Sequence, residues 1–340
     1  VRGDEQPCHA NPPVDEAYST NALARAMISP PAQDQDDLAR LLAVANGAAI
    51  ASFFKTSFLA KISEGRHFQA LRQTGLGDAV ELGVSVAAFY EAAYARLRRS
   101  YRCEYVFKNE IVRKLVLARH DPSTSVVISE FAVGVNRMDI VVVNGTTTAY
   151  EIKTAYDSLD RLPAQIGAAL RVFDRIIVAC DPIHVARVTA TIDDDRVGIL
   201  SFTARGAFRT ERPWRANAAS VNARSTFDCL RAEEYVPAVR ALTGCAPIVP
   251  NTLTYRTYAP LFAALAPAIA HRVLADALKR RFADPESPAA GRLPASMAHI
   301  YYETPRAERA RLFRHEALAR RLGSRARAVE NGRVFSSLQD

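Results

Sequence analysis

Residues 137–153 read RMDIVVVNGTTTAYEIK, and this pattern predicts two strands joined by a tight turn. Ile140 to Val143 form an unbroken β-branched run, as a buried strand requires. Asn144-Gly145 is the strongest short hairpin signal in the chain, and Ala149 to Lys153 return as the partner strand. Side chains alternate along a strand, so Glu151 and Lys153 share one face while Ile152 points the other way into the core. Two carboxylates, Asp139 and Glu151, and one amine thus converge beside a valine-rich strand.

That grouping suits phosphodiester hydrolysis assisted by a hard divalent cation. Mg2+ (or Mn2+) takes oxygen ligands and keeps several waters, so one or two carboxylates plus substrate phosphate oxygens suffice to hold it. Asp139 and Glu151 supply such ligands, and Lys153 is placed to orient the attacking water or help deprotonate it. Lysine is scarce among many arginines, at Lys55, Lys61, Lys108, Lys114, Lys153 and Lys279. Its pKa moves on burial and that of arginine does not, so a strand lysine kept in this setting points to chemistry. The plain alternative is a cross-strand ion pair on a solvated sheet face.

Outward from the hairpin, Val126 to Val133 reads as a neighbouring strand carrying Glu130. Phe107, Ile111 and Leu115, with Val112 and Val116, predict an amphipathic helix packed on the sheet. This helix carries Glu110, which competes with Glu130 for a third acidic role, and Lys108, which is placed to face DNA. After Lys153, Asp157 is read as the cap of a helix whose buried stripe is Leu162, Ile166, Leu170 and Phe173; Arg161 and Gln165 lie off the stripe and can reach the strand ends. Arg175 to Ala179 and Val197 to Phe202 are further strands, with a helix over Ile183 to Ile192 between them.

These segments resemble a family. Residues 129–140 (SEFAVGVNRMDI), 150–166 (YEIKTAYDSLDRLPAQI) and 172–178 (VFDRIIV) are similar to a bacterial and phage branch of the PD-(D/E)XK nuclease superfamily. Its members carry a glutamate strand, an Arg-x-Asp strand, a Glu-Ile-Lys strand and a glutamine-bearing helix in succession. The resemblance spans about Tyr101 to Phe202. It implies an α/β fold with a restriction-endonuclease-like core, a mixed sheet flanked by helices, and Mg2+-dependent nuclease activity. Carried over by position, Asp139, Glu151 and Glu130 match metal carboxylates, Lys153 the catalytic lysine and Gln165 the helix glutamine, and Arg137 joins Lys108 and Arg161 as nucleic-acid contacts. Where related members often have a tyrosine one turn after the glutamine, this chain has Ala169.

Composition agrees with a globular α/β chain of two or three domains: 340 residues, 49% hydrophobic and 24% charged. The expected division is a tail and helical region over 1–100, a core over 101–205, and an arginine-rich helical region over 206–340. A net charge of +8 and a pI near 9.4 favour a polyanion, with DNA the expected partner and a homodimer or partner protein engaged through the helical flanks. Arg306 to Arg333, with Arg309, Arg311, Arg314, Arg320, Arg321, Arg325 and Arg327, is dense enough for phosphate contacts but reads first as solvated helix surface. Gly75-Leu76-Gly77 reads as a loop. Cys8, Cys103, Cys180, Cys229 and Cys245 are unpaired in spacing and fit reduced cytosolic thiols without zinc. The first residues lack an apolar leader, and Tyr258 to Ala270 is interrupted by Pro260 and Pro267, so a cytoplasmic protein without a membrane span is expected. A non-catalytic nucleic-acid-binding or protein-interaction module on the same scaffold is the other reading.

Overall fold

The computed structural model describes residues 32–119, 124–244, 247–284 and 293–322. The polar N-terminal stretch, Cys8, Cys245, Arg325 and Arg327 lie outside the described residues, as does most of the Pro285 to Pro294 segment.

The quoted stretch forms the centre of a six-stranded sheet. Its strands are β1 (Val126–Val133), β2 (Asn136–Asn144), β3 (Thr146–Lys153), β4 (Arg175–Cys180), β5 (Val197–Phe202) and β6 (Phe208–Arg212). They lie in chain order across the sheet. The first three form an antiparallel meander, β3, β4 and β5 run parallel, and β6 returns antiparallel. Gly145 makes the β2–β3 turn at φ 69°, a conformation open to glycine at little cost. The parallel strands need crossovers, supplied by helices over Leu162–Leu170 and Val185–Thr191. β6 extends the sheet beyond residue 205, the expected end of the core.

Helices from both flanks cover the sheet. On one face, Ile140, Val142, Tyr150 and Ile152 join a core built with N-terminal helices, which include α1 (Ala32–Val44), α2 (Gly47–Ser52), α3 (Thr56–Ser63), α4 (Phe68–Gln73) and α5 (Val86–Ser100). In α5, Ser85 accepts the Ala88 N–H at 3.1 Å as N-cap, and Val86, Phe89, Tyr90, Ala93, Tyr94 and Leu97 repeat at helical spacing to form the buried stripe. On the other face, Val141, Val143, Ala149 and Val178 pack with Phe227, Phe262, Leu274 and Leu278 from C-terminal helices.

Between α5 and the sheet lies α6 (Glu104–Ile111), followed by a π-helical stretch over Val112–Leu117, so the expected single helix changes its winding before Leu115. The crossover helix Leu162–Leu170 is α7; Arg161, not Asp157, occupies its N-cap position. Asp157 instead accepts the N–H and hydroxyl of Thr154, both at 2.7 Å, and so closes the turn that follows β3. No helix among the described residues is long and apolar enough to cross a membrane.

The alternation of β1 and β2 breaks at one level. Val126 and Ile128, then Phe131 and Val133, enter the same core, a switch from even to odd positions; on β2, Met138 and Val141 show the same three-residue step. Glu130 lies inside the break on β1 with φ 54°, a left-handed conformation costly for a residue with a Cβ. Asp139 lies inside the break on β2.

Candidate metal centre

The last regular pair of β2 and β3 is Ile140 with Tyr150, so continuing the register sets Asp139 opposite Glu151. Asp139 Oδ2 accepts the Ile152 N–H at 2.6 Å, which fixes the carboxylate across the gap where β2 leaves β3. Glu151 is 2% exposed. Its Oε1 accepts from Lys153 Nζ at 2.9 Å, while its Oε2 is buried without a hydrogen-bond partner. Lys153 Nζ also donates to Gln165 Oε1 on α7 at 3.0 Å. Glu151, Lys153 and Gln165 thus form one hydrogen-bonded chain, and Asp139 is tied to the same strand through the Ile152 N–H.

Burial, then the Glu151 charge, raises the Asp139 pKa well above the usual carboxylate range. Burial likewise raises Glu151, against the pull of Lys153 and then of Gln165. A half-buried and a buried carboxylate that both resist ionising, the buried one with an unpartnered oxygen, are poised for a cation that supplies the missing charge. All-oxygen donors fit a hard cation such as Mg2+ or Mn2+ and not a thiophilic one.

Glu104, Glu130 and Asp139 each present a carboxylate oxygen, and the three lie within 4.8 Å of one another. Glu130 thus stands beside Asp139 and Glu104, and Glu104 is an acid that the sequence pattern does not single out. Its helix neighbour Glu110 is instead enclosed by Tyr94 (2.9 Å), Arg113 (3.1 Å) and Lys114 (3.1 Å), a buried structural ion network. The signal that separates the two is the orientation of α6, whose buried Val106, Phe107 and Ile111 decide which acids meet the sheet.

Lys108 corrects the expectation of a DNA-facing side chain. It is 5% exposed, donates to Glu104 Oε1 at 2.6 Å and also bonds Glu130 Oε1. Burial disfavours its charge, but Glu104 and Glu130 overcome this and raise its pKa, holding it protonated. A tethered ammonium thus neutralises the Glu104–Glu130 end of the cluster. Arg137 and Arg161 are exposed, with Arg161 at the start of α7 near Gln165.

The helix α13 (Ala298–Glu303, counting α8 to α12 as Val185–Thr191, Ala223–Phe227, Ala232–Thr243, Asn251–Ala263 and Pro267–Phe282) closes the β1 side. His299 Nε2 lies 2.9 Å from Ser129 Oγ, and Asn109 Oδ1 accepts the His299 N–H at 2.9 Å. Burial, then the nearby Lys108 charge, pushes the His299 pKa down to about 3, so its imidazole is neutral. A cavity of about 420 Å³ runs along β1 and reaches Glu130, with Glu303, Asp284, Arg306 and Arg309 on its far wall. Arg309 is held by Asp284 at 2.6 Å, so the wall carries little free positive charge. Cys103, Cys180 and Cys229 are free thiols, and His184 Nε2 and His271 Nε2 lie 3.0 Å from Thr154 O and 2.9 Å from Thr147 Oγ1, respectively.

Fold and site define an α/β protein with an acidic, cation-compatible centre on the meander of a mixed sheet. The chain belongs to the bacteriophage P4 protein cII family, whose family model matches residues 98–290, more than half of the 340 residues. This range holds Glu104, Glu130, Asp139, Glu151, Lys153 and Gln165, while His299 and Glu303 lie beyond it. Protein cII of Enterobacteria phage P4 is 30% identical over 87 residues, which are 25% of this chain and 33% of that protein. The match therefore spans about a third of the length of this curated relative. Among solved structures, SPO1766, a protein of unknown function from Silicibacter pomeroyi, is similar at 20% identity over 27% of this chain and 62% of that one, with a TM-score of 0.22.

Proposed function

We propose that this P4 cII-family protein is a metal-dependent nuclease that hydrolyses phosphodiester bonds, with DNA as substrate. One observation carries the reading: the buried, unpartnered Glu151 Oε2, on the carboxylate whose other oxygen holds Lys153 and whose charge raises the pKa of Asp139. Burying such an oxygen costs free energy, on the order of 1–3 kcal/mol, and a fold retains it where a ligand compensates. The order of β1 with Glu130, β2 with Arg137 and Asp139, β3 with Glu151 and Lys153, and α7 with Gln165 supports a PD-(D/E)XK core over 101–205, with β6 added to its sheet and the described helices of the two flanks on its faces.

On this reading Asp139 and Glu151 hold the cation, with Glu130 at its margin. A bound Mg2+ or Mn2+ supplies an acidified water and neutralises charge at the phosphate. Glu151 and Gln165 hold the Lys153 ammonium in a fixed place, from which it donates to the attacking water or to a phosphate oxygen as charge builds there. The Asp139–Ile152 hydrogen bond fixes one acid without needing a second side chain. Arg137 and Arg161 contact the phosphodiester backbone from either side of the centre. Purified protein should cut at least one of plasmid, linear duplex or single-stranded DNA with Mg2+ or Mn2+ and stop on chelation. Chelator-insensitive DNA binding with no cutting of any substrate would favour the non-catalytic module instead.

A further inference from the structure

Tyr156 is 62% exposed although it sits on a tightly built turn three residues after Lys153. Asp157 holds Thr154 through two hydrogen bonds, Thr154 Oγ1 accepts the Tyr156 N–H at 3.3 Å, and His184 Nε2 lies 3.0 Å from Thr154 O. The Tyr156 ring stacks on Tyr101, with centroids 5.0 Å apart and planes at 30°. Tyr101 is itself seated against backbone: a Cβ at Gly47 would lie 2.5 Å from Tyr101 Cγ. The result is a two-ring platform, fixed from below and open above.

Its place in the chain gives the platform meaning. Tyr101 precedes Glu104 by three residues and Tyr156 follows Lys153 by three, so the stack joins the segment that carries Glu104 to the segment that carries Lys153. Three residues reach at most about 11 Å, the rise of roughly three stacked nucleotides at about 3.4 Å each. Arg99 and Arg161, both exposed, flank the two rings in sequence and can meet the adjoining phosphates. A large ring held rigid in water gains little for the fold, whereas every base offers a π-face that such a ring can take.

Resting on the nuclease reading, we propose that Tyr156, backed by Tyr101, is a stacking site for an unpaired base within about three nucleotides of the scissile phosphate. It selects strands with a splayed or single-stranded base and is indifferent to which base this is. Stacking on one ring predicts a loss of roughly 5- to 100-fold in affinity when the ring is removed.

The test is fluorescence anisotropy of the full chain, with Ca2+ in place of Mg2+, on a short labelled oligothymidylate and on the same backbone with abasic residues. Tyr156→Ala should weaken binding to the thymidylate strand and leave the abasic strand nearly unchanged; Tyr156→Phe should restore it and Tyr156→Leu should not. Equal binding by Tyr156→Ala and parent, an equal loss on both strands, full rescue by leucine, or no oligonucleotide binding by the parent each overturns the stacking site. A ring-dependent loss in a protein that cuts no DNA would keep the site and sink the nuclease reading.

Discussion

Asp139 accepts the Ile152 N–H across the opening one step past the last regular β2–β3 pair, next to Glu151 in sequence on β3, whose one oxygen is left buried and unpartnered. Because the meander opens at this level, the two acids are held close by backbone, not by attraction between their side chains. Their repulsion is a cost that a bound cation would relieve.

That cost has a pH signature. The folded Asp139 pKa is raised by burial and by Glu151, so between the unfolded and folded values the folded chain binds more protons and stability falls as pH rises. Asp139→Asn cannot ionise. Without metal it should melt above the parent at about pH 8, by on the order of 2 kcal/mol, and the two should converge near about pH 4. Millimolar Mg2+ should stabilise the parent and not the variant. Calorimetry across this range checks it, and a parent as stable as Asp139→Asn at alkaline pH would count against the pair.

Lys108 is the built-in counter-charge of Glu104 and Glu130. Lys108→Met should cost about 1–2 kcal/mol, less than a fully buried broken pair because both acids are partly exposed. The vacated place should then take a second divalent cation. Mn2+ titration followed by electron paramagnetic resonance should give one tight site in the parent and two in the variant; equal counts would show that Lys108 excludes no metal.

Much of this was legible in sequence. The β-branched run, Asn144-Gly145 and the i, i+2 spacing of Glu151 and Lys153 place the hairpin and its charged face, since period-two alternation decides both. Glu104 was not legible, because Glu104 with Lys108 and Glu110 with Lys114 are the same i, i+4 pattern. Only the packing of α6 separates the acid at the sheet from the acid in a buried arginine and lysine network. Asp157 was read as a helix cap because its residue type suits both roles, and the chain uses it earlier, at Thr154. The strain at Glu130 had a signal that went unused: the three-residue steps from Ile128 to Phe131 and from Met138 to Val141, where strict alternation would give two.

Lys153 separates chemistry from charge pairing. A guanidinium cannot reproduce the reach and shape of the ammonium buried between Glu151 and Gln165, so the swap separates a role in turnover from one in folding. Lys153→Arg should fold and bind DNA yet lose most turnover in single-turnover assays at saturating Mg2+. Parental rates from both Lys153→Arg and Lys153→Met would make this lysine structural.

The central claim is that Asp139 and Glu151 together hold a catalytic cation. Its most direct test is single-turnover DNA cleavage by the parent, Asp139→Ala and Glu151→Ala at matched folded concentration, with Mg2+ or Mn2+ and again with chelator. The account predicts metal-dependent cutting by the parent, none by either variant, and DNA binding largely retained by both. Undiminished cutting by the two variants, or no cutting by the parent on plasmid, linear and single-stranded DNA, would contradict it.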